Sequence, residues 1–275
     1  MPLFNDPGLI GIADLEIYEA NLSKVASTHN INLESKTAIT LAQVGDRILS
    51  RLIRSGSVNA CNVEGSLGVA RSISALPPVQ RWSFTLSNVV VTAPLHRWMC
   101  YQVLAQAFSE AYSVQLNDRF KSKWNEYTAL SQEAERSFYD LGIGVVRQPL
   151  PKPDAPSVSI ISGPAPAGLI VVQVAWTDAN GFESSLSEYN PVPLTDGSSI
   201  VVGMSEPAGQ VPASAVGWNV YIGANGGDPS RQNLTPIDIN TAWFLPNEGF
   251  LSGPAPMNGQ QPEWYITDPQ RLQRG

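Results

Sequence analysis

Between Arg147 and Pro156 the chain reads Arg-Gln-Pro-Leu-Pro-Lys-Pro-Asp-Ala-Pro, with four prolines in the eight positions from Pro149 to Pro156. Each proline removes a backbone donor, fixes φ, and pushes the residue before it out of the helical region. No helix continues through such a run and no central strand begins in it, so it divides the 275-residue chain in two. Each side is long enough to bury a core of its own. Before the run apolar residues recur at helical spacing, and after it they come in short runs bounded by turns. The expected fold class is therefore multidomain, α then β. A helical domain spans 1–148, a stiff Pro-rich linker 149–156, a β-sandwich 157–253 and a tail 254–275.

In the first half, Leu15, Tyr18, Leu22 and Val25 share one face of a helix expected over about Ile12 to Ser27. Ala38, Leu41, Val44, Ile48 and Leu52 mark a second, with Arg47, Arg51 and Arg54 toward its C-terminal end, where the helix dipole favours cations. Thr92 and Pro94 form a start signal for a third, which carries Trp98, Ala105, Phe108 and Tyr112. A fourth runs from Asn117 or Asp118 through Phe120, Trp124, Tyr127, Leu130, Ala134, Phe138 and Leu141 to Gly142 and Gly144. Its stripe is strongly aromatic.

Residues 56–91 interrupt this helical pattern. Arg81-Trp82-Ser83-Phe84 and Val89-Val90-Val91 show alternation or β-branching, which reads as an extended loop or hairpin. Ordinary connections run to about 4–6 residues, and excursions of this length are generally functional or disordered; against simple disorder, protein contact through Arg81, Trp82 and Phe84 is the preferred expectation.

In the second half, strands are expected at Val158–Ser162, Leu169–Thr177, Glu183–Tyr189, Ser199–Met204, Gly217–Gly223 and Asn233–Ile239. Asn180-Gly181 suits the positive φ of a tight turn. The tail has no periodic face but holds Trp264, Tyr265 and Ile266 together, an aromatic anchor for a partner subunit or for the parent domain.

Charge bears on the class of function. Residues 1–150 hold 13 Lys/Arg against 13 Asp/Glu, and 151–275 hold 4 against 11, so the net charge of −7 lies beyond the proline run. An acidic, Lys-poor module is a poor phosphate-backbone binder. The arginines at 47, 51 and 54 and the run Arg119, Lys121, Lys123 are matched by acids and read as solvated or interface positions.

Catalytic and metal signatures are sparse. Two cysteines, Cys61 and Cys100, do not make a disulfide framework. His96 and Cys100 stand one helical turn apart, but two ligands are too few for a tetrahedral site. Asp178-x-Asn180-Gly181 with Glu183 lacks the remaining ligands of a calcium loop. Nucleotide-binding glycine motifs and nucleophile elbows are missing, so no enzyme, metal or cofactor is expected, and a glycan-cleaving enzyme is the least favoured class. The opening Met-Pro-Leu-Phe-Asn-Asp-Pro lacks the character of a secretory leader, and no apolar stretch approaches membrane-spanning length, so no membrane association is expected.

The order Val172–Thr177, then Asn180-Gly181-Phe182-Glu183-Ser184-Ser185-Leu186-Ser187, Ser199–Val202, and Gly217-Trp218-Asn219-Val220-Tyr221-Ile222-Gly223 resembles the immunoglobulin-like or fibronectin-type modules of tailed-phage virion proteins. The likeness covers about residues 156–250. Four helices with a long excursion before Val89–Trp98 resemble head-to-tail adaptor, or connector, proteins. These resemblances imply a virion structural protein of the neck, assembled in the host cytoplasm. They imply a homo-oligomeric ring of about twelve copies between portal and tail or tail-terminator proteins, with genomic DNA passing through without sequence-specific binding. Trp264, Tyr265 and Ile266 would grip the portal or a neighbour. The competing expectation is a baseplate or tail-fibre attachment protein that uses the sandwich for binding.

Overall fold

The computed structural model describes residues 1–54, 84–115, 118–205, 210–224, 226–257 and 259–267. Helices fill the N-terminal half and β-sheets the C-terminal half. The chain forms two compact units: residues 8–147 with 262–275, and residues 1–7 with 148–261. The expected excursion, apart from Phe84 to Val91, lies outside the described residues, as do Arg81 and Trp82.

The helical unit contains α1 (Ile12–Glu16), α2 (Leu22–His29), α3 (Leu33–Arg54), α4 (Ala93–Gln115) and α5 (Asp118–Leu141). It is built around α4, which packs against all four of the others. A helix is apolar on the faces that its neighbours cover. Leu95, Trp98, Met99, Cys100, Val103, Leu104, Ala107, Phe108 and Ala111 are accordingly buried. The aromatic stripe of α5 meets it: Tyr127 stacks on Phe108 at 5.6 Å between centroids, and Phe138 lies 5.8 Å from Trp98. Such pairs add about 0.5–1.5 kcal/mol beyond their area.

The single helix expected over Ile12 to Ser27 is instead two helices with a break at Ile17–Asn21. The Tyr127 hydroxyl donates to the Tyr18 carbonyl at 3.1 Å and to the Glu19 carboxylate at 3.0 Å. A tertiary donor thus takes a carbonyl that the helix ladder would otherwise use, and the chain turns.

In the β unit, β2 (Ser157–Ala165), β5 (Ser198–Gly203) and β8 (Trp243–Phe244) form one sheet in the order β2-β5-β8. β3 (Gly168–Thr177), β4 (Asn190–Leu194), β6 (Gly217–Ala224) and β7 (Ser230–Arg231) form a second, ordered β4-β3-β6-β7. All described pairings in these sheets are antiparallel. Alternate residues, Ile170, Val172, Val174 and Trp176 on β3, Trp218, Val220 and Ile222 on β6, Ile200 and Val202 on β5, and Trp243 on β8, share one hydrophobic core.

Two expected strands are differently built. Along Glu183–Tyr189 no ladder forms beyond a bridge from Glu183 to Thr177. Serine hydroxyls accept the β3 backbone donors instead, Ser184 from Trp176 N at 3.0 Å and Ser187 from Val174 N at 3.0 Å. Along Asn233–Ile239 the Asn233 side chain accepts from Val220 N at 2.9 Å, and Ile237 alone bridges to Trp218. Side chains here share the pairing with the backbone, since Ser184 N and Ser187 N still donate to the Trp176 and Val174 carbonyls at 3.0 and 2.8 Å, a role open to Ser and Asn.

The proline run, expected to act as a spacer, is stitched into the β unit. Leu150 joins its core, and its N–H donates to Gln260 Oε1 at 2.7 Å. Gln260 Nε2 donates back to the Gln148 carbonyl at 3.0 Å. Pro149 accepts from Ser214 Oγ at 2.9 Å, and Lys152 N donates to the buried Asp6 carboxylate at 2.8 Å. Burial pushes the Asp6 carboxyl above the usual carboxylate range, opposed by bonds from Lys152 N and Leu3 N.

Candidate protein-interaction site

The C-terminal aromatic segment forms β9 (Trp264–Ile266), antiparallel to β1 (Ile143–Val145) in the helical unit, with Ile143 opposite Ile266, Gly144 opposite Tyr265 and Val145 opposite Trp264. The seat is prepared at the end of α5. Gly142 ends that helix with φ +100°, its N–H donating to the Phe138 carbonyl at 3.0 Å. Only glycine holds such a φ without strain. At Gly144 an added Cβ would lie 2.9 Å from Pro262 Cγ, so the glycine is also needed for the close approach of the returning chain. On the other side of β1, Val90 N donates to the Gly144 carbonyl at 2.9 Å, and Val89 to Val91 are buried.

Of the residues singled out from sequence, Phe84 and Trp264 come together, their rings 6.4 Å apart. Phe84 is buried, whereas Trp264 is 43% and Tyr265 47% exposed, and Ile266 is half-buried. The segment therefore docks on its own unit while presenting two aromatic side chains outward. Arg147 completes the group: its guanidinium lies 5.6 Å from the Trp264 ring centre, and its N–H donates to Glu263 Oε1 at 3.3 Å. A cation over an aromatic face is a composition favoured at protein contacts. Sequence reasoning missed Arg147 because its partner is more than a hundred positions away.

Four other clusters bear on chemistry. Cys100, His96 and Asp14 lie in series, with Cys100 Sγ 3.8 Å from His96 Nδ1 and His96 Nε2 4.0 Å from Asp14 Oδ2. The order is that of a nucleophile, a base and an orienting acid. The thiol, however, is buried, and burial pushes its pKa up to about 12, so it remains a thiol at neutral pH. Among the described residues no group of three His, Cys, Asp or Glu could hold a metal ion. The Asp178 carboxylate is engaged by the turn, accepting from Asn180 N at 2.9 Å and Phe182 N at 2.8 Å.

Glu183, buried in the β unit, accepts from Tyr221 Oη at 2.7 Å and 2.8 Å and from Asn219 Nδ2 at 2.5 Å. Asn219 Oδ1 accepts from Asn233 Nδ2 at 2.6 Å. This network joins β6 to the two ladder-free stretches. In the helical unit, Arg47 donates to Glu135 at 2.7 Å and lies 5.9 Å from the Trp98 ring centre, while Arg51 lies 4.8 Å from that of Tyr139. Two of the three α3 arginines are thus held by neighbouring helices.

No family model matches the chain, and no curated protein sequence matches it. Among the described residues no helix is long and apolar enough to cross a membrane.

Proposed function

We propose that the chain is a virion structural protein of a tailed bacteriophage, a head-to-tail adaptor that forms a ring between portal and tail around the DNA channel. In this reading the helical unit is the adaptor body, and the two-sheet unit is an immunoglobulin-like module carried by it. The observation that supports it best is the division of charge between the units. Residues 1–7 and 148–261 hold two Lys/Arg against ten Asp/Glu, whereas residues 8–147 and 262–275 hold fifteen against fourteen. A near-neutral body suits the heterologous subunit contacts of a ring, and a strongly acidic module stays off the DNA backbone. The outward Trp264 and Tyr265 supply that body with aromatic contacts of the kind that anchor protein partners.

Gold-labelled antibody against the protein, applied to intact phage particles, tests the position. Label at the neck supports the adaptor. Label at the distal tail would instead favour the baseplate or fibre-attachment reading.

A further inference from the structure

The helical unit holds a cavity of about 270 Å³ between α2 with the turn before it, the second half of α4 and the first turns of α5. Val25, Phe108 and Phe120 give it an apolar wall, and Glu19, Lys24, Arg119 and Lys123 bring charge to it. A dry cavity of about 150 Å³ already admits a benzene ring, so this one has room for a ring on a short polar arm. The wall is in place without a ligand: the His29 ring meets Phe120 edge-on at 5.1 Å between centroids, Phe120 lies 6.3 Å from Phe108, and Phe108 stacks on Tyr127. A wall fixed in advance lowers the ordering cost of binding.

The charges of the lining are unbalanced. Lys24, Arg119 and Lys123 stand against Glu19 alone. That carboxylate is already engaged, since Tyr127 Oη donates to it at 3.0 Å and Lys123 Nζ lies 3.1 Å away. Lys123 in turn lies 3.4 Å from Glu126. Lys24 is different: its side chain is exposed at the cavity, and it has no ion-pair partner among the described residues. Two other clefts of the helical unit lack this imbalance. In one, Lys36 is paired with Glu110 at 2.5 Å. In the other, the three α3 arginines face Asp46 and Glu135, and Arg47 donates to Glu135.

We infer that this cavity binds an aromatic group carrying a carboxylate, with the ring against Phe108 and Phe120 and the carboxylate beside Lys24. Charge selects an anion, because the acid of the lining is neutralised within the wall while Lys24 is not. Shape and chemistry select a ring. Edge-to-face and offset contacts with Phe108 and Phe120 add to the burial of its apolar surface, whereas a bare inorganic anion would leave that wall unfilled. The same chemistry is offered by a free aryl carboxylate and by a peptide in which an aromatic residue follows an acidic one. The inference does not depend on the adaptor reading.

NMR titration of the isotope-labelled full-length protein tests this with hydrocinnamate, with phenylpropylamine, which keeps the ring and reverses the charge, and with propionate, which keeps the acid and lacks the ring. The expected result is saturable shifts centred on α2 and the start of α5, with a Kd of about 1 mM for hydrocinnamate and binding at least about tenfold weaker for the other two. Lys24→Glu changes an exposed side chain outside the core, and it should weaken hydrocinnamate at least about tenfold while the rest of the spectrum stays in place. Acetyl-Glu-Phe-amide separates the two sources: tighter binding than hydrocinnamate assigns the site to a protein segment, and weaker binding assigns it to a free aryl carboxylate. Equal binding of the amine or of propionate would overturn the inference. So would an absence of saturation by about 20 mM hydrocinnamate, or undiminished binding to Lys24→Glu.

Discussion

Replacing Tyr221 by Phe removes one hydroxyl from the centre of the β unit and isolates the contribution of the Glu183 network. The hydroxyl donates to both Glu183 oxygens, at 2.7 and 2.8 Å, in a site where Glu183 and Tyr221 are 3% and 1% exposed. A hydrogen bond to a charged group contributes about 1.5–3 kcal/mol. Asn219 Nδ2 and the Met257 N–H still reach the carboxylate, so the loss falls near the middle of that range, about 2 kcal/mol. Hydrogen-exchange mass spectrometry on peptides from β3 and β6 reports this unit alone, and a loss of that size accelerates their slowest amides about 30-fold. The pH dependence gives a second reading. Burial first, and then the Glu183 carboxylate, hold the Tyr221 pKa above the ordinary value of 10.0. The folded unit therefore keeps the proton that the unfolded chain releases. This contribution is fully present below about pH 10 and is lost as pH rises toward the folded pKa. Tyr221→Phe should be weaker at neutral pH and lose less than wild type above pH 10. Acceleration below about threefold, or an unchanged alkaline slope, would refute the reasoning.

Gly144→Ala places a methyl group 2.9 Å from Pro262 Cγ, and it should release β9 from β1, seen as loss of exchange protection in residues 262–267 while α4 stays protected. Tyr127→Phe removes the donor that holds the Tyr18 carbonyl and Glu19. It should cost the helical unit about 1–3 kcal/mol in urea unfolding. Because burial, followed by Glu19, raises the Tyr127 pKa, the difference from wild type should shrink above about pH 10.

Long helices were legible because one buried face imposes a single period. The stripes through Val44, Ile48 and Leu52 and through Tyr127, Ala134 and Phe138 correspond to buried faces of α3 and α5. The break after Glu16 was not legible, since the group that interrupts the ladder, Tyr127, lies over a hundred residues away. In the β unit, short runs bounded by turns identified β3, β5 and β6, the last of them buried on both faces. The same signal misled at Glu183–Tyr189 and Asn233–Ile239, where Ser184, Ser187 and Asn233 bond β3 and β6 through side chains. Sequence pattern reports which side chains face a core, not whether backbone or side chain supplies the hydrogen bonds. The aromatic cluster was legible through Trp264 and Phe84, but its cation and its glycine seat were not. Arg147, Gly142 and Gly144 acquire their roles only when β9 returns to β1.

Electron microscopy of the purified full-length protein mixed with its portal tests the adaptor account most directly. The account predicts closed rings seated on one end of the portal, with contacts weakened by Trp264→Ala. A protein that remains monomeric in the presence of portal and leaves the portal end bare would contradict it.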